Sequence, residues 1–133
     1  MTSGIDHNKL VALALGARQR AYAPYSSFAV GSALLDSEGR AFTGCNVENV
    51  SFGLTICAER VAIGSALAAG STKFQAIAVV SDSAEPVVPC GACRQVLAEF
   101  SPDLRIISAT TNGMVTEFSL ATLLPSPRQG ILG

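Results

Sequence analysis

The stretch that decides the fold is KFQAIAVVSD, residues 73–82. It is a short apolar run, rich in β-branched residues and bounded by polar ones, which is typical of a buried strand. An alanine-rich segment with helical periodicity, residues 56–67, precedes it, and a helix that ends before Pro102 follows it. Two further strands are predicted after that helix, LRIISAT at 104–110 and MVTEFSL at 114–120. This order favours a sheet with helices packed against it.

The N-terminal part of the chain adds one helix and two strands. A helix is predicted from near Asp6, a suitable N-cap, until Pro24 stops it. The segments FAVGSALLD (28–36) and AFTGCNVEN (41–49) are separated by turn residues, so they predict a hairpin. The complete order predicts an α/β fold, a three-layer α/β/α sandwich with a mixed, roughly five-stranded sheet. We expect residues 1–133 to form a single domain.

Composition narrows the classes of function. Hydrophobic residues make up 49% of the chain, the formal net charge is -1, and the nine lysines and arginines are scattered. Such a surface disfavours binding to long DNA or RNA. No stretch approaches the roughly 20 apolar residues of a membrane span, and the N-terminus MTSGIDHNKL does not resemble a signal peptide. We therefore expect a soluble, cytoplasmic protein without a membrane or long nucleic acid as partner, and the composition stays compatible with binding of small or single-stranded nucleic-acid components.

Three of the four cysteines occur in two motifs, TICAERVA (55–62) and VPCGACRQV (88–96). Cys57 is predicted at the start of one helix, and Cys90 and Cys93 are predicted in the first turn of the next. Helix starts present unpaired N–H groups and a partial positive charge, which favour the thiolate form. Soft sulfur ligands in a tetrahedral arrangement suit zinc. The pattern therefore predicts one Zn²⁺ site per chain, held by these three cysteines.

Two residues beside Cys57 indicate that the metal site is catalytic. The carboxylate of Glu59, two positions after a ligand, can lie beside the metal without binding it and can accept a proton from a water that the metal activates. Three thiolates leave excess negative charge on Zn²⁺, and a guanidinium from Arg60 that donates to the sulfurs would offset it. Three protein ligands and a neighbouring acid-base group describe a zinc site with one open position.

Simpler interpretations of these residues exist. The Cys-x-x-Cys pair could be a redox pair, although this leaves Cys57 and Glu59 unexplained. Cys45 could be a fourth ligand that closes a structural zinc site, but it has no partner at ligand spacing and is better interpreted as a small buried hydrophobic residue. Arg60 could be a solvated helix charge, and His7, the one histidine, is expected to be inert.

Together the motifs resemble a known family. Cys-Ala-Glu followed by Pro-Cys-x-x-Cys resembles the zinc nucleoside and nucleobase deaminases. FAVGSAL, TGCNVEN, TICAER and PCGACRQ in this order are similar to the small homotetrameric cytidine deaminases, and the resemblance extends from about Tyr22 to Pro125. The resemblance implies the same cytidine deaminase-like fold and a homotetramer with active sites near subunit contacts.

The resemblance also implies a role for each motif residue. Cys57, Cys90 and Cys93 would bind zinc, and Arg60 would donate hydrogen bonds to the thiolates. Glu59 would carry protons from water to the ring N3 and then to the leaving ammonia, while attack occurs at C4 of the pyrimidine. The reaction would be the hydrolytic deamination of cytidine and 2′-deoxycytidine to the uridines, as in pyrimidine salvage.

Five residues would bind the nucleoside by the same resemblance. Phe28 would pack against the base, and Asn46 and Glu48, on either side of Val47, would hold the ribose 3′-hydroxyl. The backbone of Ala58 would contact the cytosine amide. From the sequence alone, however, a phenylalanine such as Phe28 is more often a core residue, and the Asn-Val-Glu segment can be interpreted as an ordinary polar strand end.

Two positions depart from the family pattern. Many relatives have tyrosine where this chain has Phe52, and many have an aromatic residue where this chain has Arg128. These departures affect the expected substrate range more than the reaction. A blasticidin-S-type deaminase of a modified cytosine nucleoside, a non-catalytic zinc-stapled binding module and an RNA or DNA editing enzyme are the competing functions.

Overall fold

The structure, a computed structural model, describes residues 6–127. No helix among these residues is long and apolar enough to cross a bilayer. A single-turn 3-10 helix at Phe52–Leu54 lies between the second strand and the second α-helix. The other elements in chain order are α1 (His7–Arg18), β1 (Val30–Asp36), β2 (Ala41–Cys45), α2 (Ala58–Ala68), β3 (Phe74–Ser81), α3 (Gly91–Phe100), β4 (Arg105–Thr110), β5 (Val115–Ser119) and α4 (Leu120–Leu123).

The five strands form one mixed sheet in the order β2-β1-β3-β4-β5. β1 pairs antiparallel with both β2 and β3, and β5 pairs antiparallel with β4. β3 and β4 are parallel because α3 carries the chain back across the sheet between them. The predictions of a β1–β2 hairpin and of a mixed, five-stranded sheet are confirmed.

Helices cover both faces of the sheet, so the three-layer prediction is also confirmed. Adjacent residues of β1 point to opposite faces, and Leu35 packs with Leu10 of α1 on one face. Leu34 packs on the other face with Ile63 of α2 and Leu97 of α3. Because α2 and α3 lie on the same face, their N-terminal ends can meet at one edge of that layer.

The boundaries of two helices differ from the prediction. Asp6 caps α1 as expected, with its side chain accepting from the Lys9 N–H at 2.8 Å, but the helix ends at Arg18 rather than close to Pro24. The reason is tertiary, because Tyr22 accepts a backbone hydrogen bond from Glu48 N–H at 2.8 Å and is held extended beside the segment after β2. Backbone pairing outside the helix therefore outweighs local helix propensity.

Backbone pairing also moves the start of α2, from the predicted Ile56 to Ala58. Ile56 and Val47 exchange backbone hydrogen bonds of 2.9 Å in both directions, so Ile56 is extended and the helix begins at Ala58. Cys57 is consequently the N-cap of α2 rather than a residue within it.

Glycines allow the helices to approach the sheet closely. A Cβ atom at Gly44 of β2 would lie 2.5 Å from Ala62 N and closer still to Ala58 O. A Cβ atom at Gly31 of β1 would lie 2.5 Å from Arg18 N. Both neighbours are backbone, which cannot rotate away, so the distance between α2 and β2 depends on the absence of a side chain at Gly44.

Gly44→Ala is expected to lower the free energy of unfolding by about 2 kcal/mol or more, because the added methyl group must push α2 away from the sheet. Urea unfolding followed by circular dichroism, at a fixed protein concentration, measures the change. Gly64→Ala in α2 is the matched control, since a Cβ atom there meets open space. That variant should be neutral or more stable by up to about 1 kcal/mol. An equal loss in both variants would contradict the close-approach argument.

Candidate metal centre

Three thiols meet where the N-terminal ends of α2 and α3 come together. Cys57 is the N-cap of α2, Cys90 is the N-cap of α3, and Cys93 lies in the first turn of α3. The Sγ atoms of Cys57 and Cys90 are 3.8 Å apart, and those of Cys90 and Cys93 are 3.4 Å apart. All three sulfurs lie within 4.8 Å of one another.

This donor set fits zinc. A tetrahedral Zn²⁺ with bonds of about 2.3 Å to sulfur places neighbouring sulfurs about 3.8 Å apart, which is close to the observed spacing. Neither Cys57 nor Cys90 uses its side chain to cap its helix, so both sulfurs are available to a metal. The sequence prediction of a three-cysteine group is therefore matched by the geometry.

The simpler interpretations of the cysteines are not favoured by the structure. Within residues 6–127, the three thiols are the one group of three or more side chains close enough to hold a metal, and Cys45 does not belong to it. The thiols of Cys90 and Cys93 converge with that of Cys57, an arrangement that a two-cysteine redox pair does not require. His7 lies on the opposite face of the sheet, on α1, with its Nδ1 atom 3.8 Å from Glu117 Oε2.

The thiols do not share charge equally. A hydrogen bond from the thiol of Cys93 lowers the pKa of Cys57 to about 5, with help from the guanidinium of Arg60, although burial opposes this shift. The same hydrogen bond and burial raise the pKa of Cys93 above its usual value. Arg60 Nη2 lies 3.6 Å from Cys57 Sγ and 3.4 Å from the carbonyl oxygen of Thr55. The structure thus places a positive charge where the excess charge of a zinc–thiolate centre would lie.

Glu59 is a buried acid at this centre. It lies in the first turn of α2, two residues after Cys57, and it is only 5% exposed. Burial raises the pKa of Glu59 to about 7, and the negative charge of Cys57 adds to the shift, while its own backbone N–H and Arg60 act in the opposite direction. A buried carboxyl group beside a metal site is well placed to accept and return a proton.

Asn46 holds the segment that carries Phe28. Its Oδ1 atom accepts from Val30 N–H at 2.9 Å, and its Nδ2 atom donates to the carbonyl oxygen of Phe28 at 2.8 Å. The Phe28 side chain is 39% exposed, so it is not a core residue in this chain. One N–H and one lone pair of the Asn46 amide remain for another partner. Its predicted contact with ribose stays a prediction.

Glu48 holds the loop that precedes Phe28. Its Oε1 atom accepts from the N–H groups of Tyr25 and Ser26, at 2.9 and 3.2 Å, and its Oε2 atom accepts from the Ser26 hydroxyl. The hydrogen bond from Ser26 lowers the pKa of Glu48. The Ser26 hydroxyl also accepts from Phe28 N–H at 3.0 Å. Sequence reasoning missed this role of Ser26, because a serine in a turn-rich loop gives no signal of its long-range partner.

A cavity of about 320 Å³ adjoins this loop, and it is lined by Tyr25, Ser26, Glu48, Asn49, Phe52 and Thr55. The lining includes Phe52, the position that departs from the family pattern, and its side chain is 78% exposed.

Val47 is exposed, and its backbone pairing with Ile56 joins the Asn46–Glu48 segment to the start of α2. Ala58 is fully buried beneath Gly44. Arg128, the other departure, lies outside the described residues.

Comparison with known proteins agrees with the thiol centre. A family model described as the cytidine and deoxycytidylate deaminase zinc-binding region matches residues 5–109. This chain belongs to that family. The predicted resemblance to the zinc deaminases of this family is therefore confirmed, and the zinc prediction is supported both by the family and by the three-thiol geometry.

Individual members of the family are similar over most of the chain. A cytidine deaminase of Sporosarcina psychrophila is 46% identical over 122 residues, covering 91% of this chain and 90% of the relative. The corresponding protein of Halalkalibacterium halodurans is 47% identical over 122 residues, covering 91% and 92%. A crystal structure of cytidine deaminase from Burkholderia pseudomallei superposes with a TM-score of 0.88 at 50% identity, covering 92% of this chain and 98% of that one.

Removing individual thiols tests the predicted ligand set. The purified chain is expected to contain about one zinc, and Cys57→Ser and Cys93→Ser should lose most of it, because each removes one of three protein ligands. Metal analysis by atomic absorption measures the zinc content. Cys45→Ser is the control and should retain its zinc. Loss of zinc from Cys45→Ser as well as from the other two variants would instead support a closed site of four cysteines.

Proposed function

We propose that this chain is a zinc-dependent cytidine deaminase, which hydrolyses cytidine and 2′-deoxycytidine to uridine and 2′-deoxyuridine and releases ammonia. The observation that carries this proposal is the buried carboxyl group of Glu59 beside three converging thiols. Relatives that are named cytidine deaminases and cover about nine-tenths of the chain support the choice of substrate.

The mechanism assigns the proton transfers to Glu59. Held by Cys57, Cys90 and Cys93, zinc would supply the Lewis acidity that makes water an effective nucleophile near neutral pH. Glu59 accepts a proton from the attacking water and delivers it to the ring N3, while the water oxygen adds to C4. It then carries the second water proton to the exocyclic nitrogen, so that ammonia leaves and the C4 carbonyl forms. Arg60 offsets the thiolate charge throughout.

Substrate selection is assigned to the segment between β2 and α2 and to the loop before β1. The ring of Phe28 would pack against the base, and the Ala58 backbone would contact its amide. Asn46 and Glu48, joined by Val47, would hydrogen-bond the ribose. A free base would forgo the hydrogen bonds that the remaining N–H and lone pair of the Asn46 amide would make to the ribose, which disfavours its binding. We therefore infer that the enzyme prefers nucleosides to cytosine.

We further propose that the chain is one catalytic domain that assembles as a homotetramer. Val50, Phe52, Leu54 and Ile56, all large and exposed, lie together in the segment before α2, and such a surface suits a subunit contact. We also propose a cytoplasmic location, because a chain that uses cysteines as metal ligands rather than in disulfides suits a reducing compartment.

A direct assay tests the reaction and its substrate. Incubation with cytidine or 2′-deoxycytidine should release ammonia and reduce the absorbance of the cytosine ring. Free cytosine should react at least about tenfold more slowly, because a loss of about 1.4 kcal/mol of ribose contacts is enough to lower the rate by that factor. Removal of zinc with a chelator should abolish turnover, and added zinc should restore it.

Turnover of a modified cytosine nucleoside without turnover of cytidine would instead support the blasticidin-S-type function. Zinc binding without any turnover would support a binding module, and competition by single-stranded polynucleotide would support an editing function.

Glu59→Gln separates proton transfer from metal binding. The amide cannot accept a proton, so kcat should fall by roughly 10²-fold or more while zinc content stays unchanged. Steady-state kinetics with cytidine, together with metal analysis, measure both quantities. Glu38→Gln is a matched control, because Glu38 is exposed in the turn between β1 and β2 at the far end of β1 from Phe28. Equal kcat in Glu59→Gln and the unmodified enzyme would refute the assigned role.

A further inference from the structure

Arg94 makes an unusual set of contacts around one ligand of the metal centre. It is the fourth residue of α3, and helical side chains tilt toward the N-terminus. Its Nε atom donates to the carbonyl oxygen of Pro89 at 2.7 Å, and its backbone N–H donates to the carbonyl oxygen of Cys90 at 2.9 Å. One residue thus binds two consecutive carbonyl groups, one on each side of the Cys90 Cα atom.

These two contacts hold the backbone of Cys90. The Pro89 carbonyl lies in the peptide plane that precedes the Cys90 Cα atom, so fixing it restricts φ at Cys90. The hydrogen bond from Arg94 N–H to the Cys90 carbonyl is the first backbone bond of α3, which any residue except proline would form here, so it restricts ψ independently of the arginine side chain. Cys90 adopts φ -65° and ψ 164°, an extended conformation outside the helix, and no side-chain hydrogen bond caps α3 there. The Arg94 side chain therefore acts on Cys90 through the orientation of the Pro89–Cys90 peptide, which helps to set the direction of the Cys90 thiol.

Cys90 needs this support more than the other two thiols do. Cys93 is buried within the first turn of α3, and Cys57 follows Ile56, which is paired with Val47. Cys90 is exposed, so packing restrains it least. Pro89 is almost fully buried, and its carbonyl precedes the helix, so it requires a donor from outside the helical ladder.

A second contact fixes Arg94 itself. Its Nη1 atom donates to the carbonyl oxygen of Leu123 at 3.3 Å, at the end of α4. The planar guanidinium can bind both carbonyls at once, which a lysine ammonium cannot do with the same fixed geometry. We propose that Arg94 is a positioning residue that aims Cys90 at the zinc, with the C-terminal end of α4 as its anchor. This inference rests on the proposed ligand set.

Arg94→Met tests the proposal through metal affinity rather than activity. Zinc affinity, measured by competition with a chromogenic chelator, should fall by roughly 10- to 100-fold, the usual effect of removing a group that orients a ligand. In the cobalt-substituted protein, the thiolate-to-cobalt charge-transfer band should weaken or shift, because one thiolate is no longer aimed at the metal. Unchanged zinc affinity together with an unchanged cobalt spectrum would overturn the proposal.

Arg94→Lys distinguishes position from charge and is a milder replacement if the methionine variant fails to fold. The lysine retains the positive charge but not the planar guanidinium that donates to two carbonyl groups at once. Zinc affinity should therefore remain below that of the unmodified protein. Full recovery with lysine would mean that the charge near the thiolates matters rather than the geometry, and the positioning role would be wrong.

Two side chains that donate to backbone carbonyl groups elsewhere provide matched controls. Arg18 Nε donates to the carbonyl oxygen of Ala29 at 2.9 Å, which is the same type of bond far from the thiols. Gln95 Nε2 donates to the carbonyl oxygen of Pro127 at 3.3 Å and holds the segment after α4 without touching Pro89. Arg18→Met and Gln95→Ala should both retain zinc affinity. An equal loss in Gln95→Ala would assign the effect to the C-terminal segment and contradict the role of Arg94.

The two proposals fail in different ways. If the unmodified protein binds no zinc, or if Cys90→Ser retains full affinity, the ligand set itself is wrong. If the unmodified protein binds zinc through the three cysteines and Arg94→Met binds it equally well, only the inference on Arg94 is wrong.

Discussion

The close contact between α2 and β2 at Gly44 is the constraint on which the rest of the site depends. The backbone of α2 approaches this glycine so closely that no side chain fits between them. Because Cys57, Glu59 and Arg60 all lie at the N-terminal end of α2, this contact fixes the depth of the metal centre relative to the sheet. It also explains why Glu59 is buried although it lies in the first turn of a helix, where a charged side chain would otherwise be solvated.

The metal centre combines groups that favour negative charge with groups that limit it. Two helix N-termini and the guanidinium of Arg60 stabilise thiolates, so three sulfurs can lie within 4.8 Å of one another. Burial of Glu59 disfavours a further negative charge in the same place, which keeps its pKa near neutrality. The helix ends that would stabilise the ligands therefore also bury Glu59, the carboxyl group that we propose transfers protons.

The segments that we propose bind the substrate are organised by their own hydrogen bonds. Asn46 and Glu48 were predicted from the family resemblance as ribose contacts, yet in the structure they also hold the chain around Phe28 through Val30 and Ser26. These polar side chains thus preorganise the loop on which the base would pack, and such preorganisation lowers the entropic cost of binding. The surrounding cavity includes Phe52, so a difference in substrate range would arise at its rim rather than at the metal.

The sequence by itself determined the strands, the helix types and the three-cysteine pattern, because hydrophobic periodicity, caps and ligand spacing are local properties. The apolar run at 73–82 became β3, and Asp6 became the N-cap of α1. Only the tertiary structure decided where α1 and α2 begin or end, which loop Glu48 holds, and that Arg94 joins the Pro89 carbonyl to α4. Each of these features depends on hydrogen bonds between residues distant in the chain, whose partners leave no periodic signal in the sequence.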